Sequence, residues 1–362
     1  MSLFTNLYNT YSKCQPIIGI IPEGDNEEVR IKKTFLPLYH MTKKTKFAIM
    51  INQDGQLQRV SRDEKEKTII IPCTEASASR ANSLAAHGLC DDIGYIDNKL
   101  NVNKFAIYKK ELEKWKDKNL KVQAIYNFVT QNSFYNILLE RGLILDTEKD
   151  ENNIPKDEVL KYGVRFIVNI PGDMTPNVWE DRQLYNDWIE TVLSKTSKLS
   201  ESFDYITGNK VVSITVNHPK NINSFTGNAK LLSCNDNSGY TYRGRFNKQD
   251  EAIQVDTLSS QKIHQTLRWL IKNFGYCTDT QVIVIWAIDN DVEEKILPFE
   301  NSLAIVQSVL SDRNQTENDI LQEVDSELYK DYAKTVGKVL QGYCEAEKIK
   351  VHTRKIAIAI FD

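Results

Sequence analysis

Patterns that hold metals or cofactors are what this 362-residue sequence has least of. Its six cysteines, Cys14, Cys73, Cys90, Cys234, Cys277 and Cys344, are scattered with no C-x-x-C pair, which argues against a zinc ribbon or a disulfide framework. The five histidines, His40, His87, His218, His264 and His352, show no metal-ligand spacing. Neither G-x-x-x-x-G-K nor G-x-G-x-x-G occurs, so a nucleotide cradle has no support and no cofactor is expected. No apolar run approaches the ~20 residues that cross a bilayer, and no membrane partner is expected. The opening Met1-Ser2-Leu3-Phe4-Thr5-Asn6 lacks the charged, apolar and cleavage regions of a signal peptide. A cytoplasmic location is the resulting expectation.

An overall positive charge is missing too. The 46 basic residues face 49 acidic ones, a net charge of −3, which is awkward for a nucleic-acid binder unless the charges are segregated. Between Asp289 and Asp331 there are twelve acidic residues against three basic, leaving 37 acidic and 43 basic elsewhere. A basic face and an ordinary mixed surface are both compatible with that balance.

What is present is ordinary globular material, 41% hydrophobic and 26% charged, in a chain long enough to bury a substantial core. Leu3, Phe4, Leu7, Tyr8 and Tyr11 fall at helical spacing. Phe47–Ile51 and Thr68–Ile71 read as strands, with a hairpin turn at Asp54-Gly55. Lys43, Lys44 and Lys46 precede the first strand and are expected to be a solvated edge. Phe105, Tyr108, Leu112 and Trp115 mark one helix, and 122–141 another that Gly142 caps. The lysines of the first helix alternate with acids, which favours an ion-paired surface over a DNA stripe. The charged connector 146–157 is the expected subdomain boundary. Gly163–Ile170 alternates as a strand, and a helix is expected over 178–199. Leu258, Ile263, Leu267, Leu270 and Ile271 predict a helix that Gly275 ends. Gln281–Ile288 is continuously apolar, as in a strand covered on both faces, and Lys355–Phe361 reads as a last strand. The fold class expected is α+β: mixed, largely antiparallel sheets with flanking helices, as one large or two closely packed subdomains, 1–150 and 151–362.

The most informative stretch is 203–256. Phe203–Lys210 and Val211–Val216 are β-rich segments around Gly208-Asn209, a pair that tolerates the positive φ of a hairpin turn. His218-Pro219-Lys220, Leu231-Leu232-Ser233-Cys234-Asn235 and the basic, aromatic run Tyr240-Thr241-Tyr242-Arg243-Gly244-Arg245 follow. Upstream, 72–95 is rich in small and polar residues, including Arg80, Asn82 and Ser83.

This order of pieces resembles the large subunit of the type I-C CRISPR effector (Cascade) complex. Ile206-Thr207-Gly208 is similar to that family's V-T-G turn and His218-Pro219-Lys220 to its H-P motif. Leu231–Asn235, Tyr242-Arg243-Gly244, Gln249 and Val255 fall in the family's order, and the strand Asp279–Ala287 ends in the same W-A. The chain departs from the pattern at Asn223-Ser224 and at Ala252-Ile253-Gln254. The resemblance implies a subunit without catalysis, placed with other complex subunits at the guide RNA's 5′ handle. Such a subunit reads a short protospacer-adjacent motif (PAM) in double-stranded target DNA and helps to start R-loop formation, contacting the displaced strand. It implies a motif-reading loop at 72–95, with Arg80, Asn82 and Ser83 for groove contacts. Lys220, Lys230, Arg243, Arg245 and Lys248 are the expected phosphate ligands, and Tyr240 and Tyr242 the stacking candidates. It also implies a C-terminal half continuing past Asp362. His218 in its irregular loop is expected to pack rather than stack. Two rivals are a Mg²⁺-dependent nuclease using Asp289, Asp291 and Asp362 at strand ends and a scaffold that touches only proteins.

Overall fold

A computed structural model describes residues 2–24, 26–80, 84–194, 202–220, 222–223, 230–233, 246, 248–277, 281–287 and 356–361. The chain forms two compact units. The larger comprises Gln15–Lys220 and Lys230–Gln261, the smaller Met1–Cys14, Asn221–Ala229 and Lys262–Asp362.

The larger unit is organised around one central strand. β1 (His40–Asn52) pairs antiparallel with β2 (Leu57–Pro72) and parallel with β3 (Val164–Asn169), in the order β2-β1-β3. The apolar run of β1 suits a middle strand: Phe47, Ile49 and Ile51 are fully buried and Ala48 nearly so. Its turn into β2 needs Gly55, whose φ is +83° and whose Cβ would lie 2.5 Å from the Ala124 carbonyl oxygen. Both strands run longer than their apolar centres predict. β2 carries a polar insertion, Asp63–Glu66, where the register slips between Thr45 and Phe47. Arg165 on β3 reaches over β1, donating to Thr45 Oγ1 (3.2 Å) and pairing with Asp63.

Helices cover this sheet. α5 (Val102–Glu113), α6 (Leu120–Gln131), α7 (Phe134–Glu140) and α8 (Arg182–Leu193) follow the short α2 (Glu27–Lys33), α3 (Glu75–Ala78) and α4 (Ile93–Ile96). The helix expected over 122–141 is two helices, because Ser133 caps α7 by accepting from Asn136 N and also donates to the buried Asp97. Edge-to-face aromatic pairs, Phe47 with Phe134 and Phe128 with Phe166, join helices to sheet at 6.1 and 6.3 Å. Two lysines at the end of α5 are ion-paired in the sense their alternation predicted, Lys109 with Glu113 and the C-capping Lys114 with Glu111. The connector 146–157, read from sequence as a boundary, lies inside the larger unit, where Arg62 of β2 holds Glu148 bidentately.

The smaller unit contains α1 (Leu3–Lys13), most of α9 (Thr257–Phe274), and an antiparallel sheet. That sheet is β6 (Tyr276–Cys277), β7 (Val282–Ala287) and β8 (Ile356–Phe361). β7 is buried from Val282 to Trp286 as its apolar run predicts, and Trp286 donates its indole N–H to Thr10 Oγ1 of α1 (3.1 Å). Together the two units make an α+β protein, with one mixed and two antiparallel sheets among the described residues. No helix among the described residues is long and apolar enough to cross a membrane.

Candidate nucleic-acid interface

The loop 72–95 is pinned to the core of the larger unit. Trp188 donates its indole N–H to Cys73 O and Trp115 to Gly88 O, both at 3.1 Å, and the two indoles lie 5.3 Å apart. Gly88 has no room for a side chain: a Cβ there would stand 2.7 Å from the Trp188 ring. Thr74 and Ser77 cap α3 reciprocally, and Ser77 Oγ bonds His87 Nδ1 at 3.1 Å. Burial pushes His87 down to about 3, so it is neutral.

Arg80 lies within this frame. Its Nη1 donates to Ala85 O (2.7 Å) and to Asp91 Oδ2 (2.9 Å), and its Nη2 to Asp91 Oδ1 and to Asp92 Oδ2 (2.9 Å). The guanidinium stacks on Tyr95 with 4.2 Å to the ring centroid. Lys43, expected to be solvated, closes the cluster with a 2.6 Å bridge to Asp92. Asn82 and Ser83, the other groove candidates, lie outside the described residues.

The second stretch is tied down by a fully buried carboxylate. Asp204 accepts hydroxyls from Thr207 and Ser259 (both 2.7 Å) and backbone N–H groups from Ile206 (3.3 Å) and Asp256 (3.2 Å). The hairpin expected around Gly208-Asn209 is present as β4 (Ser202–Phe203) and β5 (Lys210–Val211), with Gly208 at φ +74°. Its strands are shorter than the alternating run 211–216 predicts. The chain leaves the ladder after Val211 and bonds instead to 255–257, through Thr215 N to Val255 O (3.0 Å) and Thr257 N to Ser213 O (2.8 Å). His218 is buried as expected, bonded to Ser260 Oγ at 2.9 Å, and burial lowers it to about 4.

Two features assemble the candidate interface. Lys220 and Lys230, separated by ten positions in the chain, form an antiparallel bridge and stand opposite each other. Thr215 donates to Glu75 Oε2 of α3 at 3.1 Å, which joins the 72–95 loop to the second stretch within the larger unit. Burial raises the Glu75 carboxyl, while bonds to Thr215 and the charge of Lys230 oppose that shift. The third phosphate candidate in view, Lys248, is exposed, and its backbone N–H bonds Glu251 Oε2 at 3.3 Å. Tyr240, Tyr242, Arg243 and Arg245 lie outside the described residues, as do Asp289, Asp291 and Asp362. Sequence reasoning missed the Glu75–Thr215 link, for which residues 140 apart leave no local signal. It also passed over the exposed aromatics Phe203 and Tyr205, although their alternation with Asp204 and Ile206 is legible.

Fold and site together define an α+β protein whose larger unit carries a cation pair beside a tightly braced polar loop. Within that class the chain belongs to the CRISPR-associated Csd1 family, described as CRISPR-associated protein (Cas_Csd1), which matches residues 21–359. This is the family of the type I-C large subunit, and membership makes the chain a Cascade-type subunit that works with other subunits and with nucleic acid. A search among curated proteins returns no match.

Proposed function

We propose that this chain is a non-catalytic large subunit of a type I-C interference complex, binding target duplex at the PAM and helping R-loop formation to start beside the guide RNA 5′ handle. The observation that carries the reading is the Lys220–Lys230 bridge. The bridge brings two lysines to one place in the chain, and a phosphate held there would gain charge-assisted hydrogen bonds. The Thr215–Glu75 bond keeps this cation pair in one unit with the 72–95 loop. Phosphate contacts set register while a nearby loop reads base edges, the usual division of labour in duplex recognition. Guide pairing then reads most of the sequence.

Titration of motif-bearing and scrambled duplexes at several salt concentrations tests this. Lys220→Ala combined with Lys230→Ala is expected to weaken both duplexes alike and to flatten the salt slope by about 0.9 per lost phosphate contact. Asn82→Ala is expected to cost ~1–3 kcal/mol on the correct motif and little on the scrambled one. An unchanged slope in the lysine variant removes the phosphate site, and equal losses for Asn82→Ala remove the loop as reader. Incubation with Mg²⁺ or Mn²⁺ is expected to leave the DNA intact; cleavage abolished by Asp289→Ala would instead establish the nuclease.

A further inference from the structure

Glu75 belongs to both halves of the candidate interface. It opens α3 in the 72–95 loop, and its Oε2 accepts the Thr215 hydroxyl at 3.1 Å. Thr215 Oγ1 also accepts from Asn217 N at 3.0 Å, a turn that leads the chain into His218-Pro219-Lys220. Lys220 then bridges to Lys230. Beyond the effect of burial, the Lys230 ammonium lowers both Glu75 and the buried His218, so its charge reaches the two of them. Gln261 of α9 supplies a second hydrogen bond to the carboxyl. From the segment ahead of β1 the buried Tyr39 faces Glu75 and Asp256, and burial together with these two anions pushes its hydroxyl up. A neutral amide at position 75 could accept the bonds from Thr215 and Gln261 equally well, whereas ionising a half-buried carboxyl is costly. Among the described residues the cation that offsets this cost is Lys230.

We propose that Glu75 is an internal competitor at the phosphate site: its carboxylate draws on the charge of Lys230, and a backbone phosphate binding to Lys220 and Lys230 has to take that charge over. Glu75 is thus a positioning residue that acts through Lys230, and it regulates the site from within the 72–95 loop. The proposal rests on the nucleic-acid reading above. A phosphate on Lys230 removes the compensation of Glu75 and adds negative charge nearby, so the carboxyl holds a proton more tightly in the complex than in the free protein. Binding therefore takes up protons. Affinity is greatest at low pH, falls as pH rises through the Glu75 range above its ordinary 4.5, and levels off once the carboxyl is ionised in both states. Of the neighbouring groups, Tyr39 stays neutral throughout, and His218, lowered by burial to about 4, is neutral above that pH.

The test follows binding of a motif-bearing duplex to the full chain from pH 5 to 8 at fixed salt. Glu75→Gln is expected to bind about fivefold more tightly than wild type at pH 8, with the gap closing towards pH 5. Thr215→Val breaks the hydrogen bond to Glu75 but keeps the charge, and is expected to keep the pH dependence of wild type. A merely structural carboxyl predicts the reverse, with Glu75→Gln following wild type at every pH. That outcome overturns the proposal, as does weaker binding by Glu75→Gln at an unchanged melting temperature. If Glu75→Gln melts early, calorimetry in two buffers of different ionisation enthalpy decides instead: proton uptake that Lys230→Gln abolishes supports the competitor, and uptake unchanged in Lys230→Gln overturns it. If the Lys220→Ala with Lys230→Ala variant lowers the salt slope while Glu75→Gln matches wild type, the competitor alone falls. If that double variant keeps the wild-type slope, the phosphate site falls and takes the competitor with it.

Discussion

Arg80 has donors suited to a base edge or a phosphate, yet the fold turns four of its five N–H groups inward, onto Ala85 O, Asp91 and Asp92. Asp91 is fully buried and relies on that guanidinium for compensation. Arg80→Ala is therefore expected to destabilise the larger unit by ~3–5 kcal/mol, the usual cost of leaving a buried charge unpaired. Arg80→Lys is expected to recover little of it, since one ammonium cannot reproduce a bidentate fork stacked on Tyr95. Denaturant unfolding with tryptophan fluorescence measures both. If Arg80→Ala leaves stability intact and lowers only motif affinity, the side chain is a reader and the cluster is incidental. The residue type was legible in the sequence, but its direction was not, because Asp91 and Asp92 reach it only once the loop closes.

Among the elements, the 72–95 loop departs most from its compositional reading. Small and polar residues predict an exposed connector, but Trp115 and Trp188 bind its backbone and Gly88 lies flat against the Trp188 ring. Gly88→Ala is expected to cost ~1–3 kcal/mol through overpacking. Trp188→Ala with Gly88→Ala is expected to cost less than the sum of the two single changes, since the clash vanishes with the ring. A double-mutant cycle by chemical unfolding checks the coupling, and strict additivity would show that Gly88 and Trp188 do not compete for space. Hairpin turns, caps and buried strands were readable because their causes are local: Gly55, Gly142, Gly208 and the run Val282–Trp286 each carry their own signal. The break between α6 and α7 was not, because Ser133 shares its cap with Asp97 from another part of the chain.

For the molecule, acid sensitivity follows from three buried histidines in the larger unit. Burial lowers His40 to about 4, His87 to about 3 and His218 to about 4, from an ordinary 6.5. Below pH 6.5 the unfolded chain takes up protons that the folded chain refuses, so stability is complete above that value and falls as pH drops towards about 4. Each histidine contributes up to about 1.4 kcal/mol per pH unit within its window. Glu148, held at about 2 by its hydrogen bonds to Arg62, adds its own loss only below its ordinary 4.5. The denaturation midpoint is expected to decline in two stages, and His40→Gln to soften the first. A midpoint constant between pH 6.5 and about 4 would mean that the imidazoles are reached by water in solution.

The sequence by itself determined the α+β class, most strand and helix centres, the hairpin at Gly208, the packing of His218 and the family resemblance. Each of these depends on periodicity, turn chemistry or ordered motifs within a few residues of one another. Tertiary structure alone decided that Lys220 meets Lys230, that Thr215 grips Glu75, that Arg80 faces inward and that the rings of Phe203 and Tyr205 face out. Those outcomes depend on which segments close against each other, and closure is set by burial of the whole core rather than by any local pattern.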